Sequence, residues 1–523
     1  MPGLSRREFN KKMLRGVGGA ALAGATLTKA ADRGSTDAPT QPNILFISSD
    51  QHAYKYLGCA GHSHVQTPNL DQLANQGIMF TDTYAGSPIC VPGRACMMTG
   101  TFASDNNSFG NALVWDGTNP TWGTLLRDAG YFTWATGKMD LNDDFDMGFT
   151  EKNTKHGHRH NPDITELFRE PVGYRMDERP MVDGHIREER SVDHQRTLDA
   201  LDFLRKTSPT LEQPWALFVG YIQPHPAFHA LPEHFNYYYP NNVDMPNIPL
   251  GHLEDLHLVM QELRHFKRVA TPIEPERIRK ARAGYYGMIT ELDGYIGQLR
   301  NALEETGQLD NTVIIYTSDH GESLGEHGLW YKNNLYDVGI RVPLIISAPE
   351  FNGGKKVTTP VSHVDLVYTM LEWANAKRSP ALRGDSLGSL LEGRSGRRPA
   401  FVYAENHSEG NITGSFMIRK SEWKYIHLTW YDDLLFNLKD DPGEFTNLVN
   451  HPEAQPILEE LRGNLCSVVD PEEVTNRAFQ KEDEMLRRFA NTTSEEELVD
   501  MFKGRLGKGQ ARVMVSKLKR SQM

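Results

Sequence analysis

Apolar positions fall in short unbroken runs, separated by stretches in which they recur at helical spacing. NILFISS (Asn43 to Ser49), WALFVGYI (Trp215 to Ile222), TVIIYTS (Thr312 to Ser318) and PLIISA (Pro343 to Ala348) are the runs, and continuous apolar runs of this length form strands covered on both faces. TPNLDQLANQG, TWGTLLRDAG and the stretch from Ile278 to Glu305 carry the helical pattern. Strands alternating with helices predict an α/β chain with a large, mostly parallel sheet sandwiched by helices. Ligands of such sheets gather at the carboxyl ends of strands. Two of the runs end on acids, Asp50 and Asp319, and a third leads into His225.

From about residue 395 the pattern shortens. AFVYAEN, GSFMIRK and EWKYIHLTW alternate, and the turn-rich DDLLFNLKDDPGEFTNL follows. This predicts a smaller C-terminal antiparallel sheet with a helix, joined through EGRSGRRP. The charged segment from PEEVTNRAFQKEDEMLRRF onward reads as a helical tail, either solvated or a homo-oligomer contact. The expected divisions are a main domain over residues 42–394, an antiparallel subdomain over 395–470 and a helical tail over 471–523.

The first residues change the picture of where the chain works. SRREFNKK precedes the weakly apolar MLRGVGGAALAGATLTKAA, which ends in small residues near Ala30. Residues 1–31 resemble a twin-arginine export signal, with a mobile basic terminus as the plainer reading. The resemblance implies the twin-arginine translocase as a partner and a periplasmic or secreted location. Removing this leader, with six bases and one acid, would take the formal charge from −12 to −17. That acidity argues against a nucleic-acid partner, while leaving room for a local basic pocket that holds a small anion. No stretch approaches the roughly 18 apolar residues of a membrane span, so no membrane partner is expected after processing. The four cysteines, Cys59, Cys90, Cys96 and Cys466, show no CxxC spacing. They predict neither a disulfide framework nor a zinc ribbon.

The most specific segment is SPICVPGRACMMTG, in which Cys90, Pro92 and Arg94 fit Cys-x-Pro-x-Arg. The pattern alone is compatible with a buried structural cysteine as well as with a reactive one. It is joined by SSDQH at the first strand end, SDHGESLGEHGLWYK at a later one, TGKMD, YIQPHPAF and VSHVDLVYTML. With these segments in order from Asn43 to about Leu448, the chain resembles the type I, formylglycine-dependent sulfatases of the alkaline-phosphatase-like superfamily. The resemblance implies that another enzyme oxidises Cys90 to formylglycine, whose hydrate is the nucleophile, with Arg94 orienting it. It implies a metal site of Asp50, Gln51, Cys90, Asp319 and His320, with Ser49 in the place of a second aspartate and not a ligand. Oxygen donors suit Ca²⁺, with Mg²⁺ as an alternative and Mn²⁺ admitted by the histidine. It further implies Lys138 and Lys332 as sulfate-binding lysines, His225 as a leaving-group contact or acid, and His327 as an additional site residue. A leaving alkoxide requires such a proton donor.

One position departs from the family pattern. Where a histidine commonly follows the glycine-lysine motif, this chain has Asp140, which leaves three readings: Asp140 as the base, another histidine as the base, or weak activity. Gly93 also stands where a serine is frequent. The expected activity is hydrolysis of sulfate monoesters, in sulfated small molecules or oligosaccharides, by an exported enzyme. Two alternatives stand beside it: a phosphonate monoester or phosphodiester hydrolase on the same scaffold, and a catalytically dead carbohydrate-binding relative.

Overall fold

The computed structural model describes residues 41–153, 164–167, 178–351, 353–394 and 398–520. The leader expected at residues 1–31 lies outside the described residues. Among the described residues nine strands form the large sheet: β1 (Asn43–Ser49), β2 (Ile78–Tyr84), β3 (Phe132–Gly137), β4 (Glu151–Asn153), β5 (Trp215–Gly220), β6 (Thr312–Ser318), β7 (Arg341–Ser347), β8 (Lys355–Val357) and β9 (Val361–Ser362). Their order is β8-β2-β7-β6-β1-β5-β3-β4, with β9 also on β2. β7 runs antiparallel to β2 and to β6. The other pairs are parallel.

Burial on both faces explains the unbroken apolar runs. All seven residues of β1 and of β6 are buried. Strand alternation divides β1 between two cores. Ile44 and Phe46 pack with Trp122 of α3 (Trp122–Asp128), with Ala95 and Met98 of α2 (Cys90–Thr99), and with Val367 of α6 (Val364–Trp373). Leu45 and Ile47 pack with Leu70 of α1 (Pro68–Gln76), Ala200 of α4 (Val192–Asp202) and Leu292 of α5 (Pro275–Glu305). Each such buried side chain contributes about 1.5–3 kcal/mol. Helices therefore cover both faces, as the alternation of patterns predicts.

The smaller sheet is antiparallel, with β10 (Val402–Asn406), β11 (Ser415–Lys420), β12 (Trp423–Leu428) and β13 (Leu434–Asn437) paired in chain order. Leu458, Leu461 and Leu465 of α7 (Gln455–Val468) share a core with Phe416 and Ile418 of β11. The charged tail continues as α8 (Pro471–Thr492), α9 (Glu495–Leu506) and α10 (Lys508–Arg520). Its Ala478, Phe502 and Met514 belong to that same core, so the tail packs on its own chain. No helix among the described residues is long and apolar enough to cross a membrane.

Two glycines let β3 and β5 converge at their carboxyl ends. Gly137 and Gly220 face each other in register. A Cβ on Gly220 would lie 2.0 Å from the carbonyl oxygen of Lys138, and one on Gly137 would lie 2.1 Å from that of Gly220. Gly137 also has a φ of 89°, a conformation that side chains disfavour. The close approach is what aims the chain at Lys138. Gly220→Ala is therefore expected to cost about 1–3 kcal/mol through overpacking, read as a lower denaturation midpoint. Unchanged stability would show that the strands can separate here without penalty.

Candidate active site

The carboxyl edge of the large sheet collects polar side chains from parts of the chain far apart in sequence. β1 leads directly into Asp50 and Gln51, β3 into Lys138, and β6 into Asp319 and His320, while β5 runs through a turn to His225. Because β7 is antiparallel, its lead-in, which carries Lys332, also arrives at this edge. α2 begins at Cys90, so its first-turn N–H groups face the same point.

The site is dense. Lys332 Nζ lies 2.7 Å from Cys90 Sγ, His320 Nε2 lies 3.3 Å from it and Asp50 Oδ1 3.8 Å. Arg94, four residues along α2, donates through Nε to Asp319 Oδ2 at 2.9 Å and through a terminal nitrogen to the Lys138 carbonyl at 2.8 Å. Lys138 pairs with Asp50 and, at 3.1 Å, with Asp140. His225 Nε2 is 3.3 Å from Lys332 Nζ, and its Nδ1 is 2.6 Å from the carbonyl of Pro226. Asp140 is buried with a φ of 53°. A Cβ on Gly93 would come 2.8 Å from the carbonyl of Asp319. At this position α2 approaches the end of β6 too closely for a side chain, which gives the departure at Gly93 a local reason.

These charges set one another's ionisation. Burial pushes the Asp50 carboxyl up, but Lys138, His225, Arg94 and Lys332 outweigh it and hold Asp50 well below the usual carboxylate range. Burial and Asp50 push the Cys90 thiol up, whereas Lys138, Lys332 and His320 bring it down to about 5. Burial lowers Lys332, while Cys90, Asp50 and Glu409 more than offset it and keep the ammonium charged. A thiolate among cations is the more reactive form of cysteine.

Asp50, Cys90, Asp319 and His320 form a buried group that could hold a metal ion, each offering an atom within 4.8 Å of the others. Gln51 fits the same role. Its Nε2 donates to Glu322, while its buried Oε1 has no hydrogen-bond partner among the described residues. An amide carbonyl with two carboxylates and an imidazole is a donor set for a hard divalent cation. The backbone N–H of Gln51 donates to Asp319 Oδ1 at 3.0 Å, tying the ends of β1 and β6 together.

Several contributors had no signal of their own in the sequence. Glu322 accepts from Gln51 and, at 2.7 Å each, from the backbone N–H groups of Leu324 and Tyr331. Asn111 accepts from the Val91 N–H at 3.1 Å. Asp193 accepts from the N–H groups of Ile222 and Gln223 and so fixes the turn that leads to His225. Glu322 stands two residues after His320, and that nearness to a candidate ligand is the one clue the sequence holds for it. His327 is placed apart from the Cys90 cluster in its described contacts. It stacks on Tyr336 with ring centroids 4.2 Å apart and meets His252 at 2.9 Å. It lines a cavity of about 690 Å³ with Tyr54, Lys55, Arg341 and Phe445.

The profile described as Sulfatase matches residues 42–376, and the profile described as N-sulphoglucosamine sulphohydrolase, C-terminal, matches residues 325–471. The chain belongs to the sulfatase family. As a sulfatase it is a sulfuric ester hydrolase of the alkaline-phosphatase-like superfamily. Arylsulfatase K of Danio rerio is 31% identical over 82% of this chain and 84% of its own length. Choline-sulfatase of Rhizobium meliloti (strain 1021) is also 31% identical, over 79% of this chain and 83% of its own. Among solved structures, the phosphonate monoester hydrolase of Silicibacter pomeroyi superposes with a TM-score of 0.68 at 26% identity, covering 82% of this sulfatase and 95% of that chain.

Glu322 holds Gln51 in the orientation that leaves Oε1 free, so Glu322→Gln should lower divalent-cation affinity by about 10–100-fold, the usual effect of removing a group that orients a ligand. Titration calorimetry with Ca²⁺ measures it. Equal affinities would remove Gln51 from the donor set.

Proposed function

We propose that this sulfatase is an exported, metal-dependent enzyme that hydrolyses sulfate monoesters of sulfated carbohydrates, using a formylglycine made from Cys90. The observation that carries the reading is the convergence of Lys332, His320 and Asp50 on Cys90 Sγ at 2.7, 3.3 and 3.8 Å. A structural cysteine has no use for such a setting. The match of residues 325–471 to a sulphoglucosamine sulphohydrolase profile supports the carbohydrate class. In this reading a maturation enzyme modifies Cys90 and the twin-arginine translocase carries the chain to the periplasm or beyond.

Converted to formylglycine and hydrated, residue 90 supplies a hydroxyl to attack sulfur and a second one whose loss of a proton ejects sulfate. Asp50, Gln51, Asp319 and His320, beside residue 90, would hold a cation, Ca²⁺ with Mg²⁺ or Mn²⁺ as alternatives, and it would supply Lewis-acid charge at the sulfate oxygens. Cys90 Sγ stands where the hydrate oxygens would be, so Lys332 lies within hydrogen-bond reach of them and of a bound sulfate. Lys138 neutralises the sulfate from the Asp50 side. Arg94 holds Asp319 and the Lys138 carbonyl and so orients both. Removing one such charge clamp typically costs on the order of 100-fold in turnover. His225 keeps Nδ1 against the Pro226 carbonyl, which leaves Nε2 as the atom that passes a proton to the departing oxygen. Asp140 is the base that takes the hydrate proton, beside Lys138.

A second reading, hydrolysis of phosphonate monoesters, is favoured by the 0.68 TM-score to the phosphonate monoester hydrolase of Silicibacter pomeroyi. Rates on an aryl sulfate and on a phenyl phosphonate ester separate the two. The Cys90 peptide of active protein should be about 18 Da lighter than its unmodified form, the difference between thiol and aldehyde. Cys90→Ala should abolish turnover and leave the fold intact. Full activity with an unmodified Cys90 would overturn the mechanism.

Asp140→Asn keeps the size of the side chain and removes its basicity. It should lower kcat by about 100-fold, a usual contribution of a general base, while Asp140→His should be tolerated better. Equal rates for the asparagine variant and the unaltered enzyme would make Asp140 a bystander and move the base to His225 or His327.

A further inference from the structure

The loop between β10 and β11 leaves the small sheet and enters the Cys90 site. Its Glu409 is buried and adopts a φ of 55°, in the left-handed region. One carboxylate oxygen accepts from Asn111 Nδ2, and the other accepts from Asn333 Nδ2 at 2.7 Å. A carboxylate only accepts and an amide nitrogen only donates, so this arrangement fixes the amide orientation of both asparagines. Asn111 Oδ1 is thereby turned to the Val91 N–H, 3.1 Å away. That N–H is a first-turn donor of α2, which no carbonyl of the helix can serve. Asn333 gives its backbone N–H to the Pro88 carbonyl at 3.1 Å, and its own carbonyl accepts from Asn406 Nδ2 at 2.8 Å. From one carboxylate, hydrogen bonds thus run to both sides of Cys90, at residues 88 and 91, and to the residue that follows Lys332.

We propose that Glu409 is a positioning residue for the hydrolytic reaction: by clamping Asn111 and Asn333 it sets the ammonium of Lys332 against residue 90. The proposal rests on the reading of Cys90 and Lys332 given above. Lysine is a flexible chain with many rotamers, and a 2.7 Å approach to residue 90 is reproducible only if the backbones on both sides are held. The large sheet holds neither of them directly, because residues 88–91 and 332–334 lie between elements or at their first turn. The small sheet supplies the missing brace through Glu409 and Asn406. The C-terminal subdomain is thereby part of the catalytic geometry, although it presents neither nucleophile nor candidate metal ligand.

Two variants and the unaltered enzyme test this with a chromogenic aryl sulfate as substrate. For each, the Cys90 peptide mass, the melting temperature, kcat and KM are measured. Glu409→Gln replaces one acceptor by an NH2 group that faces an amide donor, and so breaks one arm of the clamp. Glu409→Asp keeps the charge and withdraws it by one methylene. Both should lower kcat per modified site by about 10–100-fold, as misplacement on the order of 1 Å does. KM should stay within about threefold, since an arrangement needed in the transition state is lost rather than uniform binding. A kcat within about twofold of the unaltered enzyme in either variant overturns the proposal, because tenfold is its smallest expected effect. A loss confined to KM overturns it too, and so does an aspartate variant that is fully active, which would assign Glu409 a role of charge alone. A melting temperature lower by more than about 10 °C in the aspartate variant would assign it to stability and equally overturn the proposal. An unaltered enzyme with neither turnover nor the lighter peptide would instead overturn the reading of Cys90, and the clamp with it.

Discussion

The structure depends on keeping Arg94 and Lys138 paired with Asp50, Asp140 and Asp319, and Lys332 against Cys90, where water hardly reaches. Arg94, Asp50 and Asp319 are fully buried, and Lys332 and Asp140 are 7% exposed. Removing an ion from water costs several kcal/mol even after relaxation, and only close partners with good geometry offset it. Apart from Lys138 and Asp140, which both follow β3, each ion here comes from a different strand end or helix turn. The ends of β1, β3 and β6 and the start of α2 must therefore meet within hydrogen-bond distance, and the sequence accommodates this where they crowd. Gly137 and Gly220 let two strands touch, Gly93 lets α2 lie against the end of β6, and the N–H of Gln51 ties β1 to Asp319. A chain that relaxed any of these contacts would leave a buried charge without its partner.

The strands legible from sequence were those with no polar face to confuse the reading. NILFISS and TVIIYTS coincide with β1 and β6 because both faces of each are covered. β2, IMFTDTY, and β3, FTWATG, carry threonines and partly exposed positions, and their mixed patterns did not single them out. PLIISA reads as a strand, but apolar content carries no information about direction, and the antiparallel sense of β7 leaves no mark in it. That sense is nevertheless what brings Lys332 to the edge.

The site divided along a similar line. Cys90, Arg94 and the acids at strand ends stand in local motifs, so their spacing was enough to nominate them. Glu409 sits in a turn whose nearest partner in the site, Asn333, is 76 residues away in sequence, and Asn111 is 298 away. No periodicity or motif links such residues; only the packing of the small sheet against the large one does. His327 shows the converse. It is close in sequence to His320 and Lys332, yet its left-handed backbone, with φ 54°, accompanies a side chain stacked on Tyr336 beside the large cavity.

The burial of Cys90 also sets a schedule. Its side chain is 1% exposed, and His320, which closes over it, lies 230 residues further along the chain. At roughly 5–20 residues per second of synthesis, those residues take on the order of ten to fifty seconds to appear. During that interval the cysteine exists without its lid. Any enzyme that modifies Cys90 has to act then, or on a chain otherwise kept from folding, because the finished sheet leaves it no approach. Translation speed and the closing of β6 and β7 would thus compete with any such modification, and whatever slows folding lengthens the time for which residue 90 can be reached.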